Sequence, residues 1–288
     1  MEPRETEIGA RTLLVGLFGH PVRHSLSPRM HNTAFRLQGL DLVYLAFDVL
    51  PGDLARALDA LRALGMRGAN LTVPHKEAVL PLLDRVDALA ARVGAVNTVV
   101  NEQGVLAGYN TDVAGFSEAL RVVLPQGARD RHCLVIGAGG AARAVLAALV
   151  AEDAAEVSVY NRHPERAAAL CAVAGEWGAT HCRPVAREAV NTIAREADLI
   201  VNATPVGLDG PVKDLPIPVD TLHSGHVVVD LVYGQGTTSL VEAANTRGAV
   251  AIDGKAMLVM QAALAYQLWT GVQPPIDAMR ASAERGER

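Results

Sequence analysis

The sequence lacks the features that mark several classes of protein. Its three cysteines, Cys133, Cys171 and Cys182, include no CxxC pair. An odd number without close spacing fits packed thiols in a reducing cytoplasm rather than a disulfide framework. No apolar run approaches the roughly 20 residues that a membrane span requires, and even 255–271 is interrupted by Lys255, Gln261 and Gln267. A basic surface is also missing: the formal net charge of −5 offers nothing to a phosphate backbone, so nucleic acid is not an expected partner. The segment before the first apolar run carries Glu2, Glu5 and Glu7 beside Arg4 and Arg11, which reads as the approach to a leading strand rather than a signal peptide. There is no internal repeat or low-complexity segment, and the only linker-like piece is the proline-rich loop 208–220.

What is present is material for sizeable cores. Of 288 residues, 50% are hydrophobic and 20% charged, and a length above roughly 100–200 residues favours two domains. Short β-rich runs alternate with helical patterns along the chain, the rhythm of βαβ units with parallel strands. The expected class is therefore α/β, as two lobes with a cleft between them. Strands are predicted at 12–19, 43–49 and 68–73, and helices near 28–39, 53–64 and 76–93. Segments 95–100 and 105–110, joined by a turn at Asn101 to Gly104, read as a hairpin. After a helix over about 112–124, the polar stretch PQGARDRH marks a boundary. The rhythm then restarts with strand HCLVIG, a glycine turn, a helix to about 152, strand EVSVYN and a helix. Strands DLIVNAT, HVVVDLVY and AVAIDG follow, then the apolar helix 255–271, which is placed to cross back to the first lobe. These signals divide the chain into 1–111 plus 255–288 and 112–254.

Two constellations carry chemistry. LVIGAGGAARAV sets Gly137, Gly139 and Gly140 where a strand turns into a helix, so that backbone amides and the helix N-terminus can receive a pyrophosphate. Ala142 replaces the third glycine of GxGxxG. Such a turn also serves plain helix packing, but here the strand, helix and second strand all stand at the required spacing. The second strand ends not in an acidic residue, as an NAD site would, but in Asn161, Arg162, His163, Pro164, Glu165, Arg166. Two arginines at a helix start oppose the helix dipole unless an anion is there. Each bond to a 2′-phosphate is worth about 1.5–3 kcal/mol, so the pattern points to NADP.

The other constellation lies in the first lobe. GHPVRHSLSPRMHN places Ser25 and Ser27 ahead of a helix that would begin at Pro28, with Ser27 as its N-cap; the same two hydroxyls could hold a carboxylate or polyol. His20, His24 and His31 are poor metal ligands, because Pro21 and Pro28 prevent the continuous helix that would align an i, i+4 pair. Thr72 ends a strand and Lys76 opens a helix, where the dipole disfavours a cation. Asn97 lies on an extended segment, and Asp112 begins another helix. Polar residues gathered at strand ends of an α/β lobe are candidates for one site.

GHPVRHSLSP, NLTVPHKE, GAVNT, GYNTD, GAGGAARA, NATPVG, DLVY and DGKAMLVMQAA occur in this order over nearly the whole chain. Together they resemble the shikimate/quinate dehydrogenase family, in its NADP-dependent shikimate dehydrogenase branch. The resemblance implies a substrate lobe built from both chain ends, a central Rossmann-type NADP-binding lobe, and reversible reduction of 3-dehydroshikimate to shikimate on the pathway to aromatic amino acids. It implies that Ser25 and Ser27 hold the substrate carboxylate, that Thr72, Asn97 and Gln261 bond the ring hydroxyls, and that Tyr233 lines the same site. Lys76 and Asp112 resemble the catalytic pair. Gly137, Ala138, Gly139, Gly140, Ala141, Asn161, Arg162, Arg166, Thr204, Leu231 and Gly254 match NADP-contacting positions. His163 stands where the family has Thr, Gly234 and Gln235 where it has Asn and Pro, and Leu208 where Met is common. The competing readings are an NAD-dependent quinate/shikimate dehydrogenase, which an acidic residue in place of the arginines would favour, and a catalytically silent metabolite sensor, which has no need of Lys76 and Asp112. The expected partner is the small-molecule substrate, and the protein is expected to be cytoplasmic, monomeric or homodimeric.

Overall fold

The computed structural model describes residues 8–179, 181–207, 215–234 and 236–285. Leu208, Gln235 and the first part of the proline-rich loop lie outside them. The chain divides into two compact units, residues 1–115 with 258–288 and residues 116–257.

The first unit opens with β1 (Leu13–Gly19), whose last five residues are buried. It continues through α1 (Ser27–Gln38), β2 (Leu42–Asp48), α2 (Leu54–Ala63) and β3 (Gly68–Leu71). The segment expected as one helix over 76–93 is instead α3 (His75–Ala78), a 3-10 turn at Leu80–Leu82, β4 (Arg85–Val86) and α4 (Ala88–Val93). Pro81 has no N–H to continue a helix. Beyond it, Asp84 Oδ2 accepts from Leu106 N at 2.7 Å and from Arg62 Nη2 at 2.8 Å, drawing the chain alongside a strand. Asp87 then caps α4 through Leu89 N at 2.9 Å. The hairpin follows as β5 (Thr98–Glu102) and β6 (Val105–Tyr109), with Thr98 opposite Tyr109, and α5 (Asp112–Val123) comes next.

The sheet runs β2-β1-β3-β5-β6-β4. It is mixed rather than parallel, because β5 is antiparallel to both β3 and β6. This reversal places the start of β5 at the same edge as the ends of β3 and β6. Helices cover both faces. On one, α1, α10 (Gly254–Thr270) and α11 (Ile276–Glu284) bring Met30, Phe35, Tyr266, Trp269 and Met279 against Val15, Leu17 and Tyr44. On the other, Leu54, Leu58 and Leu61 of α2 pack with Phe18, Leu71 and Val99. The apolar face of α10 is thus buried within its own unit. Among the described residues no helix is long and apolar enough to cross a membrane.

The second unit contains β7 (His132–Ile136), α6 (Gly140–Ala151), β8 (Glu156–Tyr160), α7 (Pro164–Glu176), β9 (Cys182–Pro184) and α8 (Val190–Glu196). After these come β10 (Leu199–Asn202), β11 (Val227–Asp230), α9 (Ser239–Thr246) and β12 (Val250–Ile252). Its sheet is parallel in the order β12-β11-β10-β7-β8-β9. β10 and β11 are buried at every residue, as expected of parallel strands covered on both faces. The winding direction reverses between β7 and β10, the switch point where a doubly wound sheet binds its ligand.

Candidate active site

In the first unit, register gathers the polar residues. Leu71 N donates to Asn97 O at 2.8 Å and Asn97 N to Tyr109 O at 3.0 Å, so Thr72, Asn97 and Asn110–Asp112 leave their strands at one sheet edge. Asn110 caps α5, its Oδ1 accepting from Asp112 N at 3.0 Å and Val113 N at 3.2 Å. That cap sets Asp112 at the helix start, where the dipole favours a carboxylate.

Asp112 is then held from two sides. Lys76 Nζ donates to Oδ2 at 2.6 Å, and Asn97 Nδ2 donates to Oδ1 at 2.8 Å. The side chains of Lys76 and Asp112 are 16% and 5% exposed, so the pair is largely shielded from solvent. Lys76 is fixed through its backbone: Val96 N donates to Lys76 O at 2.8 Å. The neighbouring His75 is buried, with Nε2 2.8 Å from Val49 O. Asn97 also donates to Thr111 Oγ1 at 2.9 Å and accepts from Thr111 N at 2.8 Å. Gln261 Oε1 stands 3.4 Å from Asn97 Nδ2. α10 reaches this point because residue 115 is glycine: a Cβ there would lie 2.8 Å from Gln261 Cβ and 2.9 Å from its backbone nitrogen.

Below the pair runs a buried polar chain. Tyr44 Oη donates to Asn70 Oδ1 at 2.8 Å, and Asn70 Nδ2 donates to Thr98 Oγ1 and Asn97 O, both at 3.1 Å. Asn70, Thr98, Asn110 and Thr111 were not singled out from sequence. Asn70 had a signal, a polar residue in the otherwise apolar strand GANL, and Asn110 stood where an N-cap belongs. The pairing of Thr111 with Asn97 depends on the register of the hairpin, in which Glu102 pairs with Val105, and the expected turn at Asn101 to Gly104 would not have given it.

Ser25 and Ser27 lie at the start of α1, but their capping roles differ from expectation. Ser27 is the first helical residue, Leu26 precedes it without a side-chain cap, and Ser25 Oγ accepts from Ser27 N at 3.2 Å. The tight Ser-x-Ser turn lets the earlier hydroxyl do the capping. Thr72 follows β3, its N–H donating to Phe18 O at 2.9 Å. His31 is far from any ligand role: it is buried and stacked on Tyr44 with ring centres 4.4 Å apart.

In the second unit, Ile136, Tyr160, Asn202 and Asp230 stand in line across the sheet. Gly137, Asn161, Thr204 and Leu231 therefore emerge at one edge. Gly137 has φ +122°, and a Cβ on it would meet Ala203 O at 2.7 Å, so only glycine fits. Gly139 is the N-cap of α6, followed by Gly140 and Ala141, and a Cβ on it would meet no described residue beyond its chain neighbours within 4 Å. At this position the start of α6 leaves room beside the backbone. Arg162 and Arg166 are exposed on either side of the start of α7, and Asn161 Oδ1 accepts from His163 N at 2.9 Å. Thr204 Oγ1 donates to Asn202 Oδ1 at 2.7 Å, while Asn202 Nδ2 donates to Asp230 Oδ1 at 2.8 Å and Thr238 Oγ1 to Asp230 Oδ2 at 2.7 Å. Burial raises the Asp230 carboxyl above its ordinary range against these three donors, Val232 N being the third. This network, which sequence reading missed, ties the loops after β10 and β11 together. Gly254 opens α10 and donates to Val232 O at 3.0 Å. Tyr233 lies half-buried in the loop after β11.

Three family descriptions match the chain: the shikimate dehydrogenase substrate binding domain over residues 17–99, shikimate/quinate 5-dehydrogenase over 121–207, and the shikimate 5′-dehydrogenase C-terminal domain over 256–284. The shikimate dehydrogenase (NADP(+)) of Moorella thermoacetica is 48% identical, covering 95% of this chain and 93% of its own. The crystal structure of shikimate 5-dehydrogenase from Thermus thermophilus in complex with NADP(H) and shikimate superposes with a TM-score of 0.85 at 43% identity, covering 95% and 99% of the two chains. Quinate dehydrogenase from Corynebacterium glutamicum in complex with NAD gives 0.87 at 36% identity, covering 94% and 98%. With a relative this similar over nearly its full length, the chain belongs to the shikimate dehydrogenase family.

Proposed function

We infer that this protein catalyses the reversible NADPH-dependent reduction of 3-dehydroshikimate to shikimate, a step of the shikimate pathway. The observation that carries this reading is the shielded Lys76–Asp112 pair, 2.6 Å between Nζ and Oδ2, in a chain whose second unit has the glycine turn of a dinucleotide site. The residues present fit NADP: the helix N-terminus behind Gly137 and Gly139 suits a pyrophosphate, and exposed Arg162 and Arg166 suit a 2′-phosphate. Thr204, Leu231 and Gly254 complete the cofactor set that we propose.

When bound, NADPH supplies the hydride. The oxygen of the reacting carbonyl gains negative charge as hydride adds to carbon, and a donor must meet it. Lys76 is that donor. Asp112, fixed by Asn97 and the helix cap, holds the ammonium in one orientation, so little reorganisation accompanies the developing charge. Ser25 and Ser27 would bind the substrate carboxylate, and Thr72, Asn97, Tyr233 and Gln261 its remaining polar groups. Replacing Lys76 by alanine should lower kcat by about 10²–10⁴ with a smaller change in KM; an effect on KM alone would reduce Lys76 to a binding residue.

A further inference from the structure

The three cysteines are not equivalent. Cys133 is a packed thiol: it is buried, its Sγ lies 3.7 Å from Arg131 O, and burial pushes it up to about 12. Cys171 and Cys182 instead bring their sulfur atoms to 3.1 Å from each other. Cys171 is on α7, and Cys182 begins β9, the edge strand on that side of its sheet. Cys182 is only partly buried, and the two positions are 11 residues apart in sequence.

We propose that Cys171 and Cys182 form a thiol–disulfide exchange site, a dithiol that closes to an intramolecular disulfide by reaction with a low-molecular-weight disulfide and so staples α7 to β9. A disulfide bond of about 2.05 Å requires the sulfur atoms to approach by about 1 Å, a displacement that small side-chain rotations supply. The S–H of Cys182 donates to Cys171, which holds Cys171 below the ordinary thiol range and pushes Cys182 above it. Loss of one proton therefore leaves a thiolate with the second S–H beside it.

The chemistry balances without metal or oxygen. The thiolate attacks one sulfur of the small disulfide RSSR; that S–S bond breaks, RS⁻ leaves, and a mixed disulfide forms on the protein. The second cysteine loses its proton and attacks the protein sulfur of the mixed disulfide, releasing the second RS⁻. The two departing thiolates take up the two protons. Two cysteine thiols are oxidised and one disulfide is reduced to two thiols. Cys133 takes no part.

The test uses the full-length protein equilibrated in glutathione buffers from fully reduced to fully oxidised, then alkylated, digested with trypsin and weighed. Residues 167–183 contain no lysine or arginine before Arg183, so both cysteines fall in one peptide. With increasing oxidised glutathione this peptide should lose two hydrogens and its capacity for two alkyl groups, while Cys133 stays alkylatable after denaturation. The Tm should rise by about 5–10 °C, as expected for closing a loop of this size in the denatured chain. Cys171→Ser and Cys182→Ser should each abolish both changes, and Cys133→Ser neither. Persistent glutathione adducts on Cys171 or Cys182, or two free thiols in the fully oxidised buffer, would overturn the exchange site; disulfide formation with no rise in Tm would overturn the staple.

Discussion

At the scale of single residues, the partner of each charge decides what that charge does. Lys76 carries its charge at the start of a short helix, where the dipole opposes it, and the cost is offset by Asp112. Arg162 and Arg166 are both exposed at the start of α7, and their proposed partner is the 2′-phosphate of the cofactor. Replacing either by alanine should raise KM for NADP by about 10–100-fold, the equivalent of one charge-assisted bond, while leaving KM for NAD nearly unchanged. Steady-state kinetics with both cofactors checks this; equal effects on the two would place the arginines outside the phosphate site. Lys76, Asp112 and Asn97 were legible in sequence because each stands at the end of a recognisable strand or helix. Thr98 and Thr111 were not, because which hydroxyl meets Asn97 depends on side-chain packing and on the register of the hairpin, with Glu102 opposite Val105.

At the scale of elements, α10 and α1 show how close packing serves the site. Gly115 lets the backbone of α10 approach α5, and Gln261 lies at that contact. Gly115→Ala would force the helices apart, so it should cost about 1–3 kcal/mol and raise KM for shikimate by displacing Gln261; thermal unfolding and steady-state kinetics read the two effects. In α1, both ring nitrogens of His31 lack a hydrogen-bond partner among the described residues, and burial pushes its pKa down from 6.5 to about 3. The folded protein therefore holds His31 neutral while the unfolded chain protonates it below about 6.5. Stability from this residue is intact above pH 6.5 and falls by about 1.4 kcal/mol per pH unit between there and about 3. His31→Phe should lessen the drop in Tm between pH 7 and pH 5 by several degrees; an identical drop in both proteins would show that His31 does not titrate on unfolding. Long elements were legible from their periodicity. The short ones, β4, β9, α8 and α9, were not, since a few residues give no period, and at 76–93 the apolar spacing of a helix concealed the break that Pro81, Asp84 and Asp87 impose.

At the scale of the whole molecule, the first unit draws on both chain ends: Tyr266, Trp269 and Met279 from the C-terminal helices complete a core begun by Val15 and Met30. That return was legible because an apolar helix followed the last strand of the second unit, whereas α11, short and polar in sequence, gave no such sign. We propose that one chain carries both the residues that reduce 3-dehydroshikimate, in its first unit, and those that bind NADP, in its second. Initial rates of the purified protein in the oxidative direction, crossing shikimate and quinate with NADP and NAD, test it most directly. Rapid reduction of NADP with shikimate, and much slower rates in the other three combinations, is the predicted result; comparable rates with quinate or NAD, or no turnover in any combination, would contradict it.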